Sequence, residues 1–287
     1  MALSFYEPDD GPAHADGSAD PEPPSGVDGP TDADVGTRWR ATEATEGPWS
    51  PALQHGGPPS ALLVRAAERA ARRHTGRDDL QALRVVVDFL GPVPVGVVAA
   101  RAQVLRAGRS AVLVESELST SERTALRATT WLVREATEPT PTAAPASEPS
   151  PPDPDALPDD DTWDFGYARH VRWRRASGTL RGQGPASVWM SPSVPLVPGE
   201  PLTGLQRLVT VADSASGVSA QLDWGRWSFP NVDLTVHLAR RPQGSWLLLD
   251  ARTRLEPAGN GLAEAVLHDR RGPVGRSAQT LVVGPLQ

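Results

Sequence analysis

Asp213 lies in the stretch Val211-Ala212-Asp213-Ser214, a carboxylate among apolar, helix-compatible neighbours. Such a group can accept a proton from a bound water, or it can serve as a local backbone cap, a common use of aspartate. Gln279 shares one strand face with Ser277, Leu281 and Val283. An amide in that company needs hydrogen-bond partners of its own, unless the strand is an edge facing water. Gly56-Gly57 precede Pro58-Pro59 and an apolar run, so their N–H groups fall at the positive end of a helix. That end suits a carbonyl oxygen or a developing oxyanion; an ordinary tight turn is the alternative. His55 stands beside the glycine pair, able to touch a ligand there or to sit on the surface of a loop. Arg172-Trp173-Arg174-Arg175 and Arg240-Arg241 could grip phosphate through charge-assisted bonds or form solvated strand faces.

Much other chemistry is excluded. The chain has no cysteine, which removes thiol nucleophiles, disulfides and cysteine-ligated metals. No His/Asp/Glu group has metal-ligand spacing, no glycine loop fits a nucleotide and no G-x-S-x-G elbow occurs, so neither metal nor other cofactor is expected. A net charge of −7 argues against a nucleic-acid surface. All 28 basic residues are arginine, and lysine and isoleucine are absent, a composition that fits a GC-rich bacterial genome. Met1 to Pro30 shows neither the basic nor the apolar region of a signal peptide, and no apolar run approaches the ~20 residues of a membrane span. A soluble, cytoplasmic chain is the expectation.

The elements that position these residues occur twice. In each half an apolar helical stretch precedes three or four alternating strands. Val87-Asp88 answers Val232-Asp233, Gly108 answers Gly259, and the strand around Arg127 answers that around Arg276, all at nearly constant offsets. Leu247, Leu249, Ala251, Thr253 and Leu255 alternate with Leu248, Asp250, Arg252 and Arg254, the period of a strand with one buried face. Short turns at Arg106 to Arg109 and Pro257 to Gly261 make the meanders antiparallel. The first helix begins at the proline pair and ends at Arg72-Arg73-His74; the second is expected over about Pro201 to Gln221. Trp131, Trp173, Trp189 and Trp246 are expected in or beside strands, packing between the layers. Residues 1–134 form the first unit, with about 7–34 disordered after a short docking strand at Leu3 to Tyr6. Residues 135–161 form an acidic, proline-rich linker, and 162–287 the second unit.

Four segments carry a resemblance. HGGPPSALL (His55 to Leu63), VADSASG (Val211 to Gly217), NVDLTVHLARRP (from Asn231) and RSAQTLVV (from Arg276) resemble motifs of acyl-CoA thioesterases of the TesB-like (thioesterase II) type. The resemblance covers most of both halves. It implies an α+β double hotdog: two tandem units, each an antiparallel sheet wrapping a central helix, fused as a pseudo-dimer. It also implies hydrolysis of acyl-CoA or related acyl thioesters, with an aspartate, a glutamine and a hydroxyl residue of the C-terminal unit holding the attacking water. Asp213 and Gln279 match the first two. The hydroxyl position falls on Asn231, a departure from the pattern, and Thr235 on the same strand face is a substitute. Because the first half carries Thr130 where the second carries Gln279, one seam site per chain is expected, with His55, Gly56 and Gly57 contributing from the first half. A homo-oligomer is compatible with this reading. The rival is a non-catalytic acyl- or lipid-binding scaffold, for which Asn231 is the best support. A hotdog dehydratase would need an Asp/His pair that neither helix region shows.

Overall fold

The fold is described from a computed structural model, over residues 3–11, 37–138 and 151–286. The first half runs β1 (Tyr6–Pro8), β2 (Thr37–Ala41), α1 (Gly57–Thr75), β3 (Leu80–Phe89), β4 (Val97–Ala107), β5 (Ala111–Ser119) and β6 (Thr124–Arg134). The second runs α2 (Gly166–Arg169), β7 (Val171–Ser177), β8 (Ala186–Pro192), α3 (Gly204–Ala212), α4 (Ala215–Val218), β9 (Trp227–Ser228), β10 (Asp233–Leu238), β11 (Leu247–Glu256), β12 (Asn260–Asp269), β13 (Gly272–Val282) and β14 (Gly284–Pro285).

Among the described residues twelve strands join in one sheet, ordered β1-β2-β4-β5-β6-β3-β10-β13-β12-β11-β8-β7, while β9 and β14 pair separately. Read from its two edges inward, that order is the same sequence of equivalent strands twice. The halves meet where β3 pairs antiparallel with β10, and Asp88 there lies opposite Asp233. The repeated Val-Asp pairs therefore mark the pseudo-twofold seam. The repeat is also larger than the sequence indicates, because β1-β2 and β7-β8 extend each meander equivalently.

Each sheet half wraps a helix because the helices are apolar where they meet it. In α1, Ala61, Leu62, Leu63, Val64, Ala67 and Ala71 are all buried. Its last turn ends at Gly76, whose left-handed φ of 63° lets its N–H bond the Arg72 carbonyl at 2.8 Å. The second helix is not continuous as expected. A Thr203/Gln206 capping box starts α3, but the chain tightens after Ala212, with Ser214 N–H bonding Val211 O at 2.9 Å, and α4 is a separate short piece. Asp213 thus sits at a helix break and not within a helix, which frees its carbonyl for a partner outside the helix.

Two segments expected to be solvated are held down. Phe5 and Tyr6 are fully buried, as a docking strand requires, and beyond them Asp9 pairs with Arg38 and Arg40, so the docked N-terminal segment reaches past Glu7. The remainder of the tail from residue 12, and linker residues 139–150, lie outside the described residues. Linker residues 151–161 dock on the second half. Arg174 binds Pro154 O and Asp159 at 2.7 Å each, Trp189 donates to Pro152 O at 2.9 Å, and Arg270 meets Asp155 at 2.6 Å. Arg172 and Arg174 also lie over the Trp246 ring. Trp189, Trp246 and Leu248 form a small cluster apart from the main core, whereas Trp173 belongs to that core.

Candidate active site

Both helix units deliver side chains to one place on the seam. The α3/α4 break supplies Asp213, whose side chain is 4% exposed. Its Oδ1 accepts from Asn231 Nδ2 at 2.9 Å and Gln279 Nε2 at 3.1 Å, and its Oδ2 lies 3.2 Å from His55 Nδ1. Gln279 comes from β13 and is wholly buried. Its Nε2 also donates to the carbonyl of Asp213 at 3.0 Å, and its Oε1 accepts from Ser216 N–H at 3.2 Å. Gln279 therefore clamps the helix break and the carboxylate together. Asn231 is positioned by its bridge to Leu281 on β13. Its Nδ2 is shared between Asp213 and the Asp233 carbonyl.

From the first half, His55 is fixed by its N–H to Thr45 O at 2.7 Å and by stacking on Tyr167, with ring centroids 3.8 Å apart and planes 7° from parallel. Tyr167 bonds Thr210 O at 2.9 Å and Ser214 Oγ at 3.0 Å; burial raises its phenol pKa well above the ordinary value, so it stays protonated. Burial lowers the His55 pKa, with Asp213 opposing, so the imidazole is neutral at neutral pH. Its Nδ1 stands between two partners, Asp213 Oδ2 and the Gly57 N–H at 3.1 Å.

The two glycines have different reasons to be glycine. A Cβ on Gly56 would lie 2.7 Å from Asp213 Oδ2 and 2.7 Å from Phe89 Cε1, whereas one on Gly57 would lie 2.0 Å from Thr210 O, in the backbone of α3. Pro58 and Pro59 contribute no N–H, so the first turn offers only the amides of Gly56 and Gly57. Gly56 lines the adjoining cavity; Gly57 is turned to the helix contact. That cavity, about 450 Å³, is bordered by His55, Gly56, Asp213, Ser214, Ser216 and Asn231 on its polar side and is otherwise chiefly apolar. Asp213 is the one charged residue of that lining among the described residues. Neither arginine cluster reaches it: Arg172 and Arg174 serve the linker and Trp246, and Arg240 is held by Asp269. Thr235, on β10 between Val86 and Ala278, is also outside the lining.

A buried carboxylate held by two amides thus lines a chiefly apolar cavity at the seam of a duplicated fold. A family model for the acyl-CoA thioesterase N-terminal domain matches residues 45–133, and one for the acyl-CoA thioesterase C-terminal domain matches residues 146–283. The chain belongs to the acyl-CoA thioesterase family. It is a TesB-like double hotdog, and its chemistry is thioester hydrolysis. Solved structures share the fold across most of their length. A candidate thioesterase II of Thermobifida fusca YX is 22% identical with TM-score 0.66, covering 86% of this chain and 92% of that one. Acyl-CoA thioesterase II TesB2 of Mycobacterium marinum is 16% identical with TM-score 0.61, covering 87% and 92%. A hot dog protein of Alicyclobacillus acidocaldarius is 18% identical with TM-score 0.63, covering 87% and 93%. No curated protein matches the chain by sequence. No helix among the described residues is long and apolar enough to cross a membrane.

The other end of the helix pair is built differently in this thioesterase. There Glu68 of α1 accepts from Gln206 Nε2 at 2.7 Å and from Thr203 Oγ1, facing an open groove with Arg65, Arg69 and Arg241. Thr130, matched to Gln279 in the sequence repeat, is buried, and its hydroxyl has no hydrogen-bond partner among the described residues. Sequence reading reaches Asp213, Gln279, Asn231, His55 and Gly56 but not Tyr167 or Ser214. Tyr167 follows the linker in a four-residue helix with no periodic signal, and only the tertiary fold brings it to His55.

Proposed function

We propose that this thioesterase hydrolyses acyl-CoA, or an equivalent acyl thioester, with Asp213 as general base. The observation that carries the reading is the Asp213 carboxylate itself: Oδ1 is saturated by Asn231 and Gln279, which leaves Oδ2 as the acceptor beside the cavity. A water donating to Oδ2 would be aimed at a carbonyl carbon seated against Gly56. Asn231 commits its Nδ2 to Asp213 and Asp233, so its side-chain oxygen remains as a second acceptor for that water. Gln279 does not line the cavity, and its role is to position Asp213. The departure from a hydroxyl residue at 231 thus preserves a group that both orients the base and can hold water.

In the first step the water oxygen bonds the thioester carbon and its proton passes to Asp213, while the Gly56 N–H at the helix N-terminus favours the oxyanion. The tetrahedral adduct then collapses, the C–S bond breaks, and the proton moves from Asp213 to the departing sulfur, giving free acid and thiol. Neutral His55, its Nδ1 accepting from the Gly57 N–H, stands 3.2 Å from Oδ2 without adding a second charge. Release of free thiol from acyl-CoA tests the reading. Turnover by the wild type that is lost in Asp213→Ala supports it. Tight acyl-CoA binding with no thiol release would favour a non-catalytic binding protein instead.

A further inference from the structure

The chain has nine tryptophans, four phenylalanines and two tyrosines, and eight of these fifteen rings line the one cavity beside Asp213. They are interlocked. Trp49 stacks on Trp224 with centroids 5.2 Å apart and planes 24° from parallel, and Phe229 meets both rings edge-on at 5.1 and 4.7 Å. Trp224 continues to Trp163 at 5.7 Å, and Trp163 to Trp173 at 5.6 Å. Trp173 meets Tyr167 edge-on at 6.3 Å, and Tyr167 carries the His55 stack. An unbroken series of rings thus runs from the far wall to the imidazole beside the base.

One glycine keeps the wall clear: a Cβ on Gly56 would press into Phe89, whereas one on Gly217 would make only ordinary contact with the Trp224 ring. Aromatic side chains have few rotatable bonds, and all of these rings except Phe89 pack on another ring, so the walls adapt less readily to a flexible chain. A planar ring laid against such a wall gains offset or edge-to-face contacts, each favouring it over alkyl by roughly 2- to 10-fold. It also gives up less rotational freedom than an alkyl chain of equal size.

We infer that the preferred substrates are aryl-acyl thioesters, with the ring seated against the packed cluster of Trp49, Trp224 and Phe229 and the thioester at Asp213. This rests on the hydrolytic reading above and names the acyl class for the same site. The test compares phenylacetyl-CoA with octanoyl-CoA, whose acyl groups have equal carbon number, by kcat/KM for thiol release. The expected result is at least a roughly 10-fold preference for phenylacetyl-CoA, falling toward parity in Trp224→Leu. Phe229→Leu is a second variant should Trp224→Leu fail to fold. Equal or better use of octanoyl-CoA by the wild type, or an unchanged ratio in a folded variant, overturns the aryl assignment while leaving hydrolysis standing. No thiol release from either substrate overturns both.

Discussion

Replacing Gly56 by alanine isolates the placement of the base from the stability of the fold. Gly56 has φ −66° and ψ −19°, a conformation alanine adopts freely, and the loss of unfolded-chain freedom alone would stabilise the protein by roughly 0.4–1 kcal/mol. The new methyl, however, starts 2.7 Å from Asp213 Oδ2 and from Phe89 Cε1. Comfortable contacts are roughly 3.5 Å or more, so the carboxylate and the ring must retreat by about 0.5–1 Å. Asn231 and Gln279 hold Oδ1 from the other side, and a retreat disturbs both bonds. A misplacement near 1 Å costs up to about 100-fold in rate. The expectation for Gly56→Ala is therefore a kcat lower by roughly 10- to 100-fold, with stability within about 1 kcal/mol of wild type. Gly57→Ala should behave in the opposite sense. Its Cβ would stand 2.0 Å from the Thr210 carbonyl, part of α3, and helices that cannot approach destabilise the fold by about 1–3 kcal/mol or more. Gly96, with nothing within 4 Å of an added Cβ, is the control. Thiol-release kinetics and thermal melts on the three variants decide the matter. Wild-type kcat in a normally stable Gly56→Ala would refute the idea that Asp213 must stay where the glycine lets it lie.

Further outcomes follow from the buried polar groups. Burial raises the Glu68 carboxyl to about 7 against the hydrogen bonds from Gln206 and Thr203. The folded chain then keeps a proton that the unfolded chain releases, so stability declines as pH rises from about 4.5 through about 7 and is level above that. Glu68→Gln should remove this slope, gaining on the order of 1–3 kcal/mol relative to wild type between pH 5 and 8 in urea unfolding; a pH-independent difference would count against it. Burial lowers the His55 pKa, so the unfolded chain takes up its proton first, and stability is lost as pH falls below 6.5. His55→Phe, which retains a ring against Tyr167, should flatten that acid limb in thermal melts and reduce kcat; an unchanged limb would mean that another group titrates. Gln279→Leu strands the Ser216 N–H and releases Asp213, with an expected loss of about 1–3 kcal/mol and at least about 10-fold in kcat. Full activity in that variant would show that the clamp is dispensable.

The fold was readable because its strands alternate cleanly and recur in order. The period of β11, the turn at Gly259 and the paired Val-Asp steps are local features, and they specify a repeated meander without any knowledge of contacts. The motif residues of the site were readable for a related reason: Asp213, Asn231 and Gln279 are each tied to the start, break or face of a regular element. What escaped depends on contacts distant in sequence. The break at Asp213 is bridged by Gln279, 66 residues away, and has no glycine or proline to announce it. Gly57 reads as an anion-binding amide, yet its position is dictated by the approach of α3. His55 looks like a loop residue until Tyr167, from beyond the linker, stacks on it. The convergence of eight rings on one cavity is likewise a property of the packed halves, since no two of Trp49, Trp163 and Trp224 share an element.

The most direct test of the central claim is the turnover of Asp213→Asn, which keeps the shape and hydrogen-bonding reach of the side chain but removes its basicity. With acyl-CoA in single-turnover thiol release, at a pH where wild type is fully active and both proteins are folded by thermal melt, the rate should fall by about 100- to 10,000-fold. A folded Asp213→Asn within about threefold of wild type would contradict the assignment of Asp213 as the base.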